Sequence, residues 1–548
     1  MVTTLDGETW EVLPGASRLT VAQREAIESD DPLLCVVAGA GAGKTRVLTL
    51  RVARRARDGS IEADHTLVTT FSRKAADELR TRLWSLGVAG VKAGTFHRTA
   101  LGILREHREL RGRAAPQLLP DRRRLLADVS TGDPRRVRAL DGEIGWAKAR
   151  LVPPDQYEAE ARRHRRRTGV SADQVAEVYG RYETERARRR LLDFDDLIVA
   201  CADTLAGDSS FADQIRWRTR HLFVDEMQDV NAAQFRLLTA LLSDEPDLFV
   251  VGDPNQSVYG FNGADPTLLA RLPELLRGTR VIRLDENHRC TPQVVAVATA
   301  VLQDGGRLGE PPLEAPSTTR VDGPVPVVVA HATDEDEAAW AAARAKMSRA
   351  PGRRWSSIAV LTRTNAQLAR VQRAMDAARV PSMVAGSDLG PASDLRGEPD
   401  QGRDLKDRRG PDADDRGADR DRVVLTTFHR AKGLQWQTVM VLGLHDGLMP
   451  IASALTPAAV EEERRLLYVA LTRSEDELWC SWFARAADDD AGGPVLTERG
   501  PSRWLGPILE TIAALEKEAT PTAASEVSAR VAELRKALEE GSEDKGQR

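Results

Sequence analysis

Val36-Val37-Ala38-Gly39-Ala40-Gly41-Ala42-Gly43-Lys44-Thr45 is the stretch best suited to chemistry. Small residues let backbone N–H groups curl around phosphate oxygens without a Cβ in the way. The lysine can reach the β- and γ-phosphates, and the Thr45 hydroxyl can sit on Mg²⁺. The first position of the pattern is Ala38 where glycine is usual. A second chemical pair is Asp225-Glu226, at the end of the apolar run His221-Leu222-Phe223-Val224. Asp225 suits the Mg²⁺ shell, and Glu226 suits polarising an attacking water. Leu248 to Gly252 is another apolar run, ending in Asp253-Pro254-Asn255-Gln256. Tyr259, Gly260, Phe261 and Gly263 follow, and aromatic faces of this kind stack bases of single-stranded nucleic acid.

These groups need elements that hold them. Leu33 to Val37 reads as a buried strand, and Arg46 to Ala53 has the apolar spacing of a helix, so the glycine loop stands between strand and helix. The helix N-terminus adds donors and partial positive charge. Thr20 is the expected N-cap of a preceding helix that carries Gln23, whose two-sided amide could read adenine. Thr66 to Phe71 reads as a second buried strand, running into a helix capped at Ser72. Val91 to His97 places Thr95, Phe96 and His97 at another strand end, where an open α/β sheet puts its ligand contacts. From about Leu101 to Leu192 the β-branched runs vanish, and Arg, Ala and Glu recur with helical period. The expectation is an all-helical insertion.

With 548 residues the chain should make several domains. Mean hydropathy is −0.38, and no apolar run approaches the roughly 20 residues of a membrane span. Met1 to Trp10 is polar and acidic, so no signal peptide is readable and a cytoplasmic location is expected. Cys35, Cys201, Cys290 and Cys480 lack metal-ligand spacing; neither a disulfide framework nor structural zinc is expected. The net charge of −5 argues against general coating of nucleic acid but permits a basic groove. Arg162 to Arg167 and Arg186 to Arg190 are local basic clusters.

The phosphate loop, Asp-Glu-x-Gln-Asp at 225–229, Gly-Asp-x-x-Gln-Ser-x-Tyr at 252–259 and Glu-Asn-x-Arg at 286–289 occur in that order. The chain thereby resembles the superfamily-one DNA helicases of the UvrD/PcrA/Rep family. Ile358 to Gln367, Val424 to Leu434 and Glu461 to Arg473 resemble the family's later motifs, and the resemblance runs from about residue 18 to 505. Gly443 to Pro450 and Pro501 to Leu505 are similar to the actinobacterial UvrD-like branch.

The resemblance implies an α/β protein with two RecA-like P-loop domains and ATP bound between them. Residues 1–105 and 195–284 would form the first domain and 106–194 its helical insertion. Residues 285–386 and 421–508 would form the second. The family's large second insertion is replaced by 387–420, which is rich in Asp, Arg, Gly and Pro and reads as a charged flexible linker. Residues 509–548 would be a tail whose Val527, Val531, Leu534 and Leu538 mark a short amphipathic helix.

Role by role, the resemblance assigns ATP to Gln23, Ala38, Gly39, Ala40, Gly41, Ala42, Gly43, Lys44, Thr45, Arg46 and His288. It assigns Mg²⁺ to Thr45, Asp225 and Glu226, and catalysis to Lys44, Glu226, Gln256, Arg289 and Arg473. DNA falls to Phe71, Thr95, His97, Tyr259, Phe261, Arg363, Asn365, Thr427 and His429. The implied activity is 3′→5′ movement on single-stranded DNA and unwinding of 3′-tailed duplexes, with repair proteins as partners. The chain departs from the family's pattern at His288 (usually Tyr), Phe261-Asn262 (usually Trp-Arg), Gln435 (usually Glu) and Arg430 (usually Ser).

Overall fold

The computed structural model describes residues 13, 18–130, 132–166, 168–303, 316–349, 352–385, 421–487 and 496–518. The expected linker at 387–420 and the expected tail helix at 523–538 lie outside them. The chain divides into two compact units. Of the described residues, one unit holds those up to His288 together with Ala385 and Thr456–Leu466; the other holds those of Arg289–Val384, 421–455 and 467–518.

The first unit is built on a six-stranded sheet. Its order is Lys92–Thr95, Thr66–Thr70, His221–Val224, Asp247–Gly252, Leu33–Ala38, Arg280–Leu284. Every pairing in it is parallel. Most of these strands are buried on both faces, which explains their continuous apolar runs. One core, including Phe96, Leu197, Leu222 and Val250, covers one face. The other, including Val47, Leu48, Phe223 and Phe249, covers the opposite face. The parallel arrangement has a direct functional consequence. Ala38, Thr70, Thr95, Val224, Gly252 and Leu284 all stand at carboxyl ends along one edge, so the loops that follow them are neighbours.

The segment between Leu110 and Phe194 has its own core, with Leu140, Ile144, Trp146, Tyr157 and Tyr182. Helices Arg122–Val129, Pro134–Ala149, Tyr157–Arg163 and Ala172–Arg188 surround it. It is not all-helical as expected: Gln117–Leu118 pairs in parallel with Leu191–Leu192 and closes its neck. Two-residue strands carry no periodicity, so the apolar pattern could not announce them. The carboxylates of Glu183, Asp193 and Asp196 converge here. The Lys148 ammonium sits among them, at 2.8, 2.7 and 2.6 Å, and supplies the positive charge that the cluster requires.

The second unit carries a parallel sheet ordered Val327–Thr333, Ser474–Ala487, Trp436–Val441, Ile358–Thr362, Val423–Thr427, Ser382–Val384. Leu496–Glu498 adds antiparallel to the long strand. Cys35, Cys201, Cys290 and Cys480 are all buried and outside any disulfide. Among the described residues no helix is long and apolar enough to cross a membrane.

Candidate nucleotide and nucleic-acid sites

The glycine loop joins strand Leu33–Ala38 to helix Lys44–Arg57. Gly41 and Gly43 take φ of 73° and 82°, the left-handed values that turn successive N–H groups inward. At Gly43 the space is closed as well, since a Cβ there would stand 3.0 Å from Gln23 Nε2. Lys44 Nζ donates to the carbonyls of Ala38 and Gly39, both at 3.2 Å, and lies 3.8 Å from Asp253 Oδ2.

Other elements brace this loop. Gln23 is buried on helix Val21–Glu28, where Thr20 forms the expected cap. Its Nε2 donates to Ala42 O at 3.0 Å, and its Oε1 accepts from Thr20 N at 3.2 Å. From the end of strand Arg280–Leu284, Asn287 Nδ2 donates to Ala40 O at 2.8 Å, and the His288 N–H donates to Gly41 O at 3.0 Å. Burial, with the Arg46 charge nearby, holds the His288 ring below its ordinary pKa and keeps it neutral near pH 7.

Asp225 is buried at the end of strand His221–Val224. Its N–H donates to Thr69 O at 2.9 Å, and its Oδ1 accepts from Glu226 N at 3.0 Å. Glu226 has φ of 55°, an uncommon conformation for a non-glycine residue and one concentrated at functional sites. Gln228 is completely buried and links two strand ends. Its Nε2 donates to Glu226 Oε2, and its Oε1 accepts from Asp253 N at 2.9 Å. Gln256 Nε2 donates to Asp253 Oδ2 at 2.6 Å. Lys44, Asp225, Glu226 and Gln256 are thus joined through Asp253 and Gln228. Thr45 and Arg46 open the helix behind the loop.

Sequence reading gave no separate role to Asn287, Gln228 or Asp253. Each lies inside a recognised motif, so the signal was present, but the bonds that define them span strands.

Along the same edge, the Phe71 and Tyr259 rings stack at 4.9 Å with 17° between planes, and Phe261 tilts against Tyr259 at 6.2 Å. Phe71 and Phe261 are 41% and 48% exposed, so both rings are partly open to solvent. Burial, with Asp229 and Glu226 adding to it, pushes the Tyr259 hydroxyl above its ordinary range; it stays protonated. Thr95 is a buried helix cap accepting from Arg98 N at 3.3 Å. His97 lies edge-on to Phe194.

The second unit brings its own candidates together. Thr362 and Thr427 are paired residues of adjacent strands, and the Phe428 N–H donates to Thr362 O at 2.9 Å. Arg363 and His429 therefore leave neighbouring strand ends. Burial first, then the charges of Arg363 and Lys432, push the His429 ring down to about 3. Asn365 opens helix Asn365–Ala377 behind its Thr364 cap. Arg473 is fully buried, and its guanidinium donates to Val469 O, Leu434 O and Thr472 Oγ1 at 2.8, 3.2 and 3.2 Å. Arg289 Nη1 donates to Thr472 O at 3.4 Å. The two arginines thus meet at Thr472.

A phosphate loop at the carboxyl edge of a parallel sheet, with an Asp-Glu pair on a nearby strand, defines a P-loop protein of RecA-like build. The chain belongs to the UvrD/REP helicase family: the UvrD/REP helicase N-terminal domain matches residues 19–276, and the UvrD-like helicase C-terminal domain matches 282–388 and 410–485. It is 34% identical to the ATP-dependent DNA helicase UvrD2 of Mycobacterium tuberculosis, over 89% of this chain and 81% of that protein. Its identity to the ATP-dependent DNA helicase PcrA of Leuconostoc citreum is 31%, over 66% of this chain and 49% of that protein.

Proposed function

We propose that this chain is an ATP-dependent DNA helicase that moves 3′→5′ on single-stranded DNA and unwinds duplexes during repair or recombination. The observation that carries the reading is the convergence of Lys44, Asp225, Glu226 and Gln256 on one sheet edge that also carries the exposed rings of Phe71 and Phe261.

The residues fit ATP and Mg²⁺. The loop's left-handed glycines aim N–H donors inward, and Thr45 with Asp225 offers the hard oxygen ligands that Mg²⁺ prefers. ATP hydrolysis supplies the free energy for movement. Ala38 to Gly43 bind the phosphates, with Gln23 and His288 assigned to the base and Arg46 behind the loop. Lys44 places its charge on the terminal phosphates. Glu226 orients the attacking water and takes its proton. Gln256 responds to the terminal phosphate, and its bond to Asp253 sets its resting position. Arg289 and Arg473, from the second unit, are assigned to the negative charge that develops during transfer.

Phe71, Tyr259 and Phe261 supply stacking faces in one unit, beside Thr95 and His97. Arg363, Asn365, Thr427 and His429 contact the strand from the other. A nearly always neutral His429 binds by hydrogen bonding, whereas Arg363 holds phosphate. Grips carried by two units, both responsive to one nucleotide, convert hydrolysis into stepping.

The test is ATPase activity with and without oligo-dT, in the wild type and in Glu226→Gln. Stimulation by oligo-dT that disappears in the variant is expected. A wild type without ATPase activity under either condition would sink the motor reading.

A further inference from the structure

Loop Tyr259–Gly263 carries two of the three rings assigned to base stacking, and its conformation is set from outside. The Phe261 N–H donates to Glu462 Oε1 at 3.3 Å. The Gly260 N–H bonds to the same carboxylate. A Cβ at Gly260 would lie 2.7 Å from Glu462 Oε2 and 3.3 Å from its Cδ, so the carboxylate fills the space that a side chain would need. On the far side, a Cβ at Gly263 would stand 2.6 Å from Ala149 Cβ and 3.3 Å from Trp146 O. The loop is therefore wedged between helix Pro457–Leu471 and helix Pro134–Ala149, and it cannot shift without losing one of these fits.

Glu462 belongs to a helix that ends two residues before Arg473. Its carboxylate holds the loop through the backbone N–H groups of Gly260 and Phe261.

We propose that Glu462 is the positioning residue of the base-stacking loop: its carboxylate, seated on the Gly260 and Phe261 N–H groups, fixes Tyr259 and Phe261 in the pose that receives DNA. The inference rests on the reading that these rings stack bases.

The test uses the full chain, a fluorescein-labelled oligo-dT, and four variants: Glu462→Gln, Gly260→Ala, their double, and Tyr259→Ala. For each, the DNA dissociation constant, the DNA concentration giving half-maximal ATPase stimulation and the KM for ATP are measured. Glu462→Gln and Gly260→Ala should each raise both DNA constants about fivefold, the net weight of one hydrogen bond. The KM for ATP should stay within about twofold, because nothing in the contact touches the phosphate loop. The double variant should be no worse than either single one, since both remove one contact.

Unchanged DNA constants in both single variants, with Tyr259→Ala weakened, overturn the positioning role and leave stacking intact. Undiminished DNA affinity in Tyr259→Ala removes the stacking reading itself. A rise in KM for ATP without a DNA effect places Glu462 at the nucleotide and also overturns the proposal. If Glu462→Gln does not fold, Gly260→Ala decides alone.

Discussion

Asn287 Nδ2 donates to the carbonyl of Ala40 at 2.8 Å across 247 residues of sequence. The bond pins the phosphate loop to the far end of an outer strand, and both groups are buried. Replacing Asn287 with Ala leaves the Ala40 carbonyl unpaired, at a cost of about 1–3 kcal/mol. That cost should fall on loop order. The KM for ATP is expected to rise at least about fivefold, with a smaller change in the rate at saturating ATP. Steady-state ATPase assays check this, and an unchanged KM would show that the loop is held without the amide.

Glu226→Gln keeps the shape of the side chain and removes its basicity. Hydrolysis should fall at least about a hundredfold, whereas ATP binding, followed with a fluorescent analogue, should stay within a few-fold. The left-handed backbone at Glu226 is unaffected by this exchange, so loss of binding as well would point to collapse of the Gln228 link rather than to lost chemistry.

Phe71 stacks on Tyr259 and exposes its other face. Phe71→Ala should weaken oligo-dT binding by about 1–3 kcal/mol, the usual weight of one base–aromatic stack. Fluorescence anisotropy reads the change directly. The loss should be similar on oligo-dT and oligo-dA, because every base has a stacking face; a loss confined to one base would contradict simple stacking.

Glu337 is the clearest pH-sensitive group of the second unit. Its Oε1 accepts from Gly443 N at 2.9 Å and Ser481 Oγ at 2.7 Å, and burial pushes its carboxyl up to about 7. Asp334 adds to the rise and Arg370 opposes it. The folded state therefore holds this proton more tightly than the unfolded chain. Its stabilisation is complete below the ordinary carboxyl value and is lost as pH climbs through 7. At about 1.4 kcal/mol for each unit, the contribution reaches about 3 kcal/mol. Urea midpoints between pH 4.5 and 7.5 should fall more steeply in the wild type than in Glu337→Gln. Parallel curves would place the proton elsewhere.

The parts legible in the sequence are those whose signal is local. Leu33 to Val37 is a continuous apolar run because its strand is buried between two others, and Thr20 and Ser72 cap helices through their nearest neighbours. The Asp-Glu pair was legible because a strand end and two carboxylates are contiguous. Asn287, Gln228 and Asp253 were not, because their roles consist of bonds to other strands. Gln23 illustrates the difference: its amide type is readable in the sequence, whereas its bond to the Ala42 carbonyl depends on how its helix packs on the loop. Arg473 was legible as a cation at a motif's end, while its carbonyl partners at Val469 and Leu434 depended on how a helix and a turn pack.

Strand displacement tests the central claim most directly. Two duplexes of equal length, one with a 3′ and one with a 5′ single-stranded tail, are incubated with the full chain, ATP and Mg²⁺. Release of the labelled strand from the 3′-tailed duplex alone, abolished by Glu226→Gln, is the predicted result. Preference for the 5′ tail would reverse the assigned direction. DNA-stimulated ATPase without release from either duplex would contradict unwinding by this chain and leave a translocase.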